Sequence, residues 1–534
     1  MKIISLLENL EISKIVSLLG KSKFKQIEKI ISKKLSKDEI LHLSEILFEN
    51  TFFEDIAIKK ELLNLIDSRS LSYFSKRYLN KTFDSKQTMT IQLASQKWSR
   101  TNPLSFAIFD SLGLDWNYLP LKESTEKTIE VISPHKAYYP LFPYQEKIKE
   151  RILNNLDNKI NRFLVQMPTG SGKTKTSLEG IFEYFAKNNC FETNFSILWL
   201  AHTEELCEQA FQTAINVWIG TQNKDLKIVR FWGGYNPTID ELRGSFIVSS
   251  YQKMSSNKTS LYYEFIKKFV RIIIVDEAHK AIAPTYQSML NSICISNNFL
   301  IGLTATPGRS VNNQLDNSKL SSFFYRNLID LQLGNNTIKE LKKMGILSNL
   351  QREVITSEID IPSPEAEEDD NSYEYSSNQL KSLSNNEKRN IIIIDLIKKE
   401  VERNNPTLVF TCSVEHSVIL TTILRYYNIK AEFVDSSLSK SKRREIITKF
   451  KNKKVDVLLN FGVLTTGFDA PVIKTVIITR PTTSIVLYSQ MIGRGLRGYK
   501  VGGNRINKLI DIKDHANDFG ASEYIYNYFK EYWS

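Results

Sequence analysis

The stretch Phe163-Leu164-Val165-Gln166-Met167-Pro168-Thr169-Gly170-Ser171-Gly172-Lys173-Thr174 constrains this chain more than any other. A short apolar run enters a turn with two glycines, and the pattern from Ser177 to Phe182 is helical. Strand, loop and helix in that order build a phosphate cradle. Backbone N–H groups wrap the anion, glycine lets the backbone come close, and the helix presents its positive end. Met167 to Thr174 are therefore the candidate triphosphate-binding residues (Met167, Pro168, Thr169, Gly170, Ser171, Gly172, Lys173, Thr174). Lys173 reaches the β- and γ-phosphates as a point charge, and the Thr174 hydroxyl ligates Mg²⁺. The general pattern opens on glycine where this chain has Met167. Alone, the loop suits a kinase, a GTPase or a transporter motor equally. Its bland alternative is a Gly/Ser turn before a helix.

At 534 residues the chain exceeds one ordinary domain, and its length suggests about three or four. A hydrophobic fraction of 42% with 24% charged residues is that of a soluble globular protein. Lys and Arg number 71 against 59 acids, and the net charge of +12 suits a polyanionic partner without requiring one. Cys190, Cys207, Cys294 and Cys412 are too dispersed for a paired-thiol metal site and point to reduced thiols. Glu8 and Glu11 interrupt the apolar N-terminus, unlike a signal peptide, and no apolar run approaches a membrane span. The expectation is a cytoplasmic protein with no membrane partner.

Residues 1–130 read as successive amphipathic helices, with a capping box at Ser36-Lys37-Asp38-Glu39. Lysines gather at Lys21, Lys23, Lys25, Lys33, Lys34 and Lys37, but acids are interleaved, so a solvated helix face is the favoured reading over a phosphate contact. This is an accessory helical domain without a catalytic constellation.

From 131 to 312, short apolar strands alternate with helical patterns, as in a parallel sheet with crossovers. Gln145, just upstream of the loop, can both donate to and accept from an adenine edge. Thr203 and Ser250 follow buried strands, where open α/β sheets bind ligands. Each can contact nucleic-acid phosphates or simply cap a helix. Ile272-Ile273-Ile274-Val275 is a strand buried on both faces, and it runs into Asp276-Glu277-Ala278-His279. Two adjacent carboxylates there suit Asp276 to Mg²⁺ and Glu277 to orienting and deprotonating water. His279 is then a γ-phosphate sensor, or a plain helix-turn histidine. Thr304 and Thr306, before Pro307, supply hydroxyls that can relay hydrolysis to neighbouring elements.

The set Tyr144-Gln145, Met167 to Thr174, Asp276-Glu277-Ala278-His279 and Thr304-Ala305-Thr306 resembles the superfamily 2 helicase core, in its DEAD/DEAH-box branch. Phe142 departs from the Arg that the type III restriction-subunit relatives carry before Pro-Tyr-Gln. Met167 fits the branch, which often has Ala or Met at that position.

Residues 313–387 read as an insertion and linker, with five acids between Glu365 and Asp370. Residues 388–534 alternate again but carry no phosphate loop. There, Arg494 and Arg497 lie at i and i+3 and share a helix face. An isolated pair of this kind is a surface salt-bridge donor, whereas the resemblance implies arginine fingers on the developing phosphate charge. It also implies that Gly467 and Asp469 contact nucleotide and that Thr465 and Thr466 face nucleic acid. The tail is similar to stand-alone helicases of the restriction-subunit and excision-repair type. The expected fold is α/β: two tandem RecA-like parallel-sheet domains behind an all-helical N-terminal domain. The expected activity is ATP- and Mg²⁺-dependent movement on nucleic acid, DNA before RNA. The alternative is a non-unwinding motor subunit serving a nuclease or a defence or repair complex.

Overall fold

The structure is a computed structural model and describes residues 8, 11–51, 56–116, 119, 127–133, 139–222, 224–256, 261–308, 314–334, 336–357, 365–366, 373–464, 468, 470–513 and 526–533. Among the described residues seven N-terminal helices come first: α1 (Ile12–Leu19), α2 (Lys21–Ile31), α3 (Lys37–Thr51), α4 (Ile56–Asn64), α5 (Ser68–Leu79), α6 (Lys86–Ala94) and α7 (Pro103–Ser111). An alternating region follows with β1 (Ile129–Ile132), α8 (Pro143–Asp157), β2 (Arg162–Gln166), α9 (Lys173–Lys187), β3 (Ser196–Ala201), α10 (Glu204–Thr221), β4 (Leu226–Phe231), β5 (Ser245–Ser250), β6 (Val270–Asp276), β7 (Phe299–Thr304) and β8 (Leu328–Ile329). Beyond lie β9 (Asn349–Thr356) and the hairpin β10 (Glu365–Ala366) and β11 (Tyr373–Glu374). The last region holds α11 (Glu387–Glu402), β12 (Thr407–Phe410), α12 (Val414–Tyr426), β13 (Ala431–Val434), α13 (Lys440–Lys451), β14 (Val457–Asn460), β15 (Thr475–Ile478), α14 (Ile485–Gly493) and β16 (Ile506–Lys513). No described helix is long and apolar enough to cross a membrane.

These elements form two compact units. One comprises Met1–Thr125, Ser357–Ile359 and Ser377–Val463, the other Glu126–Thr356, Asp360–Ser376 and Leu464–Ser534.

In the first unit, polar side chains start the helices as local chemistry requires. The Asp67 carboxylate accepts from the Arg69 and Ser70 amides at 2.9 and 3.0 Å, and Ser85 and Asn102 cap α6 and α7. The capping box before α3 closes in both directions: the Glu39 carboxylate accepts from the Ser36 amide at 2.9 Å, and Ser36 Oγ from the Glu39 amide at 3.4 Å. Helices α2 and α3 pack on α11 and α12 of the later α/β region, whose strands run parallel in the order β13-β14-β12. His416 is fully buried there; its Nδ1 accepts from the Cys412 amide at 3.3 Å and its Nε2 lies 2.9 Å from Asn390 Oδ1. The amide donor assigns the proton to Nε2, so this histidine is neutral.

The second unit is built on an eight-stranded sheet, in the order β1-β4-β5-β3-β6-β7-β2-β8. Every pairing is parallel except that of β1, which runs antiparallel to β4. Ile272, Ile273, Ile274 and Val275 of β6 are wholly buried, which explains their unbroken apolar run. In parallel strands with right-handed crossovers all the carboxyl ends face one edge, and the loops after β2, β3, β5, β6 and β7 therefore gather there. The same unit holds three further parallel strands, β15-β16-β9.

The segment 313–387, expected as an insertion and linker, contributes two strands to the parallel pairings of the second unit. Leu328–Ile329 adds to the edge of the large sheet beside β2, and Asn349–Thr356 pairs in register with Ile506–Lys513. Between these two strands the described residues form one helix, Thr337–Lys343. Exposed–intermediate alternation along β9 marks an edge strand, which sequence periodicity alone ranks below its neighbours. Of the acidic run, residues 367–370 lie outside the described residues.

Arg230 on β4 is 2% exposed and holds the antiparallel edge. Its guanidinium donates to Glu130 on β1, to Glu208 on α10 at 3.2 Å and to the Lys127 carbonyl at 2.7 Å, and it lies 3.7 Å from the Phe211 ring centre. Removing one partner of a buried ion network strands the other charges. Arg230→Ala is expected to cost about 3–5 kcal/mol, read as a lower midpoint in thermal or denaturant unfolding.

Candidate active site

The phosphate-type loop leaves β2 at the sheet's carboxyl edge. Gly170 and Gly172 have φ of 88° and 89°, a left-handed geometry that favours glycine, and Gly172 opens α9. Met167 is not among the positive-φ residues; its side chain is fully buried and its amide donates to the Thr304 carbonyl at 3.1 Å. Glycine is therefore not required there, and the departure from the general pattern becomes core packing.

Residues outside the loop hold it from behind. Tyr144 Oη and Gln145 Nε2 both donate to the Ser171 carbonyl, at 2.8 and 2.9 Å, and Gln145 Oε1 accepts from the Phe142 amide at 2.8 Å. Each end of the Gln145 amide thus keeps one hydrogen-bonding position beyond those it uses on the protein. Gln166 Nε2 donates to the Tyr526 carbonyl at 2.9 Å, and Trp533 Nε1 to the Pro307 carbonyl at 2.8 Å. The tail thereby touches both the strand before the loop and the turn after Thr306. These anchors have no counterpart in the sequence motifs, where the tail shows only a resemblance to stand-alone helicases.

Asp276 ends β6 at 5% exposure. Lys173 Nζ stands 3.6 Å from its Oδ1 and 3.9 Å from Glu277 Oε1, so the acids expected at the strand exit do meet the loop lysine. Burial pushes the Asp276 carboxyl up against the pull of Lys173. Burial acts on Glu277 in the same sense, but Lys173, with Arg494 and Lys280, overrules it and leaves Glu277 below the usual range. Glu277 is also held at φ 51°, ψ 54°, a left-handed conformation that costs a non-glycine residue about 1–3 kcal/mol. That turn aims its side chain back toward Lys173 rather than along the strand.

His279 is buried, and its Nδ1 lies 3.5 Å from Glu277 Oε2 and 3.4 Å from Thr304 Oγ1. Thr304 Oγ1 donates to the Thr306 carbonyl at 2.8 Å, so the proton between it and His279 belongs on the ring. Burial holds His279 down at about 3, and Lys280 adds to this. It is a neutral donor joining Glu277 to the Thr304–Thr306 turn.

Arg494 and Arg497 follow α14 into the same cleft, of about 260 Å³, with Lys173, Thr174, Asp276 and Glu277. Arg497 Nη1 donates to the Gly170 carbonyl at 2.8 Å, and Arg494 Nη1 donates to the Phe468 carbonyl. Gly493 makes the approach possible, because a Cβ there would meet Thr169 Cγ2 at 2.6 Å. Thr203 Oγ1 and Ser250 Oγ accept from the Leu206 and Lys253 amides at 3.3 and 3.2 Å, so both cap helices at the edge of the paired strands β3 and β5. Thr465, Thr466, Gly467 and Asp469 lie outside the described residues. The described residues include no cluster of three or more His, Cys, Asp or Glu able to hold a metal alone. Mg²⁺ takes only one or two protein groups when phosphates complete its shell, so Thr174 and Asp276 in one cleft fit it.

Residues 138–309 match the family described as "Type III restriction enzyme, res subunit", and residues 388–498 match "Helicase conserved C-terminal domain". The chain belongs to the superfamily 2 helicases, in the type III restriction-like branch. The IRC3 protein of Saccharomyces cerevisiae, named as an ATP-dependent helicase, is 29% identical over 390 residues, covering 71% of this chain and 51% of its own. The mitochondrial irc3 protein of Schizosaccharomyces pombe is 28% identical, covering 70% and 57%. The chain thus spans just over half the length of these relatives. In structure it resembles a fragment of an HsdR subunit of a type I restriction enzyme from Vibrio vulnificus, with a TM-score of 0.50 at 19% identity over 73% of this chain and 68% of that one. With the two groups of parallel strands, this shows a fold of two tandem RecA-like parallel-sheet domains following a helical N-terminal region.

Two measurements follow from this geometry. His202, His279 and His416 are held by burial at about 4, about 3 and about 3, below the roughly 6.5 of an unfolded histidine. The unfolded chain then binds more protons between those values, so their stabilisation is complete above about pH 6.5 and is lost as pH falls toward 3. Melting midpoints should drop progressively on acidification below pH 6.5. Separately, Gly493→Ala should shift the loop and weaken binding of a fluorescent ATP analogue, roughly tenfold for about 1–3 kcal/mol of overpacking.

Proposed function

We propose that this protein is an ATP-hydrolysing nucleic-acid motor of the superfamily 2 helicase type. The observation that supports this best is the meeting of Lys173 with Asp276 and Glu277 in a cleft that Arg494 and Arg497 also line. In this reading Met167 to Thr174 wrap the triphosphate and Gln145 meets the adenine through its remaining positions. Thr174 and Asp276 would hold Mg²⁺, which when bound would neutralise charge on the β- and γ-phosphates. Glu277, kept ionised because the positive groups around it, Lys173 first among them, together outweigh its burial, orients the attacking water and takes its proton. Arg494 and Arg497 stabilise charge on the transferring phosphoryl group, and Gly467 and Asp469 complete the nucleotide contacts. His279 passes the change at Glu277 to Thr304 and Thr306, and so to strand movement.

The nucleic acid is held by Thr203, Ser250, Thr465 and Thr466, with DNA favoured over RNA. The type III restriction match also favours a second reading, a motor that translocates without unwinding inside a nuclease, defence or repair complex. We place the protein in the cytoplasm and assign the accessory, first RecA-like, connecting and second RecA-like segments to 1–130, 131–312, 313–387 and 388–534.

Lys173→Ala and Glu277→Gln are each expected to lower ATP turnover by at least about 10²-fold; Glu277→Gln should keep the melting midpoint within a few degrees of the native value, whereas Lys173→Ala strips buried Asp276 of its charge partner and should lower it. Undiminished turnover overturns the assignment. Turnover measured with single-stranded DNA, duplex DNA and RNA, beside strand displacement, separates the two readings: strong stimulation without displacement selects the second.

A further inference from the structure

The unit carrying the N-terminal helices gathers basic groups that the nucleotide site does not use. Three segments meet there. Residues 428–430 lead from α12 into β13, residues 451–454 lead from α13 toward β14, and residues 32–36 join α2 to α3. The Asp456 and Val457 amides both donate to the Lys430 carbonyl, at 2.8 and 3.2 Å, which ties the first two segments together. The Tyr426 hydroxyl donates to Glu39 Oε1 at 2.7 Å, and Lys33 Nζ reaches the same oxygen at 2.7 Å, which brings the third alongside the end of α12. Lys398 Nζ sits 3.4 Å from the ring centre of the exposed Tyr427.

Lys34, Lys430, Lys451, Lys453 and Lys454 are exposed and have no carboxylate partner among the described residues. The nearby acids are mostly engaged: Glu39 with Lys33, Glu387 with Lys29, Glu400 with Arg403, and Glu445 with Lys442 and Lys449. Glu28 and Asp38 beside the third segment, with Glu402 and Asp456, are the nearby acids outside these pairs, set against five lysines, and the Glu28 carboxylate accepts from the Leu35 amide at 3.2 Å. A local explanation exists, since α11, α12 and α13 end on this side and helix C-termini favour cations. It serves Lys451 in a last turn but not Lys34, Lys430 or Lys454, which lie beyond the helices.

We propose that this face binds the phosphate backbone of a nucleic acid, through residues other than Thr203, Ser250, Thr465 and Thr466, and that the helical N-terminal region supplies one wall of it. Compact ammonium charges on exposed segments, with Lys398 over the exposed Tyr427 ring, suit a polyphosphate read without sequence preference. The proposal rests on the nucleic-acid reading above and adds a role for the helices that precede the motor.

The test uses the full-length chain and fluorescence anisotropy with a labelled long duplex and a labelled short single strand, across a salt series. The variant Lys430→Glu/Lys453→Glu/Lys454→Glu should bind the long duplex more weakly, with a log-affinity against log-salt slope shallower by about 3, one per lost phosphate contact. Its nucleic-acid-free ATP turnover and its short-strand affinity should match the native chain, and the Lys→Gln triple variant should show the same loss in slope. An unchanged duplex affinity and slope overturns the proposal alone, as does loss of binding to phosphatidylserine vesicles with duplex binding intact. A native chain that binds neither probe overturns the nucleic-acid reading as well.

Discussion

Lys173 and Asp276 meet at 3.6 Å where an apolar sheet ends, and much of the second unit is arranged to bring that about. A carboxylate at 5% exposure is costly unless an opposite charge lies within a few ångströms. The lysine comes from the loop after β2 and the acid from β6, with β7 between the two strands. Parallel pairing sets both at the same edge, and the wholly buried isoleucines of β6 fix how far Asp276 projects. Burial still raises the Asp276 carboxyl, so the lysine compensates incompletely. A divalent cation is the natural complement to that remaining imbalance.

The loop that supplies the lysine is held by groups with little chemistry of their own. Tyr144 and Gln145 converge on one carbonyl, Arg497 takes another, and the Met167 amide is fixed to Thr304. Because Thr304 also lies beside His279, the loop and the Glu277 turn share a hydroxyl-bearing hinge. A change in charge at Glu277 can therefore reach β7 through one neutral imidazole, without any large rearrangement of the core.

Much of this was legible in the residues. The strand–loop–helix pattern, the β-branched run into Asp276-Glu277 and the helical N-terminus all depend on local periodicity and turn chemistry, which a sequence carries directly. Edge elements were not legible: β8 has two residues, and β9 alternates too weakly to stand out from an irregular connector. The anchoring of β2 by Tyr526 and of the turn after Thr306 by Trp533 depends on partners more than 200 residues away, and no local signal encodes it.

By itself, the sequence determined which chemical groups this protein possesses and the order in which short-range rules would present them: a cradle, two acids, two hydroxyls and two arginines. Tertiary structure decided their company. It turned Met167 into core, made His279 a neutral link, gave Gln145 to the loop, and brought lysines from both ends of the first unit onto one face. The reason is physical. Periodicity and turn preference act over a few residues, whereas desolvation and charge pairing are set by whatever the fold places within a few ångströms.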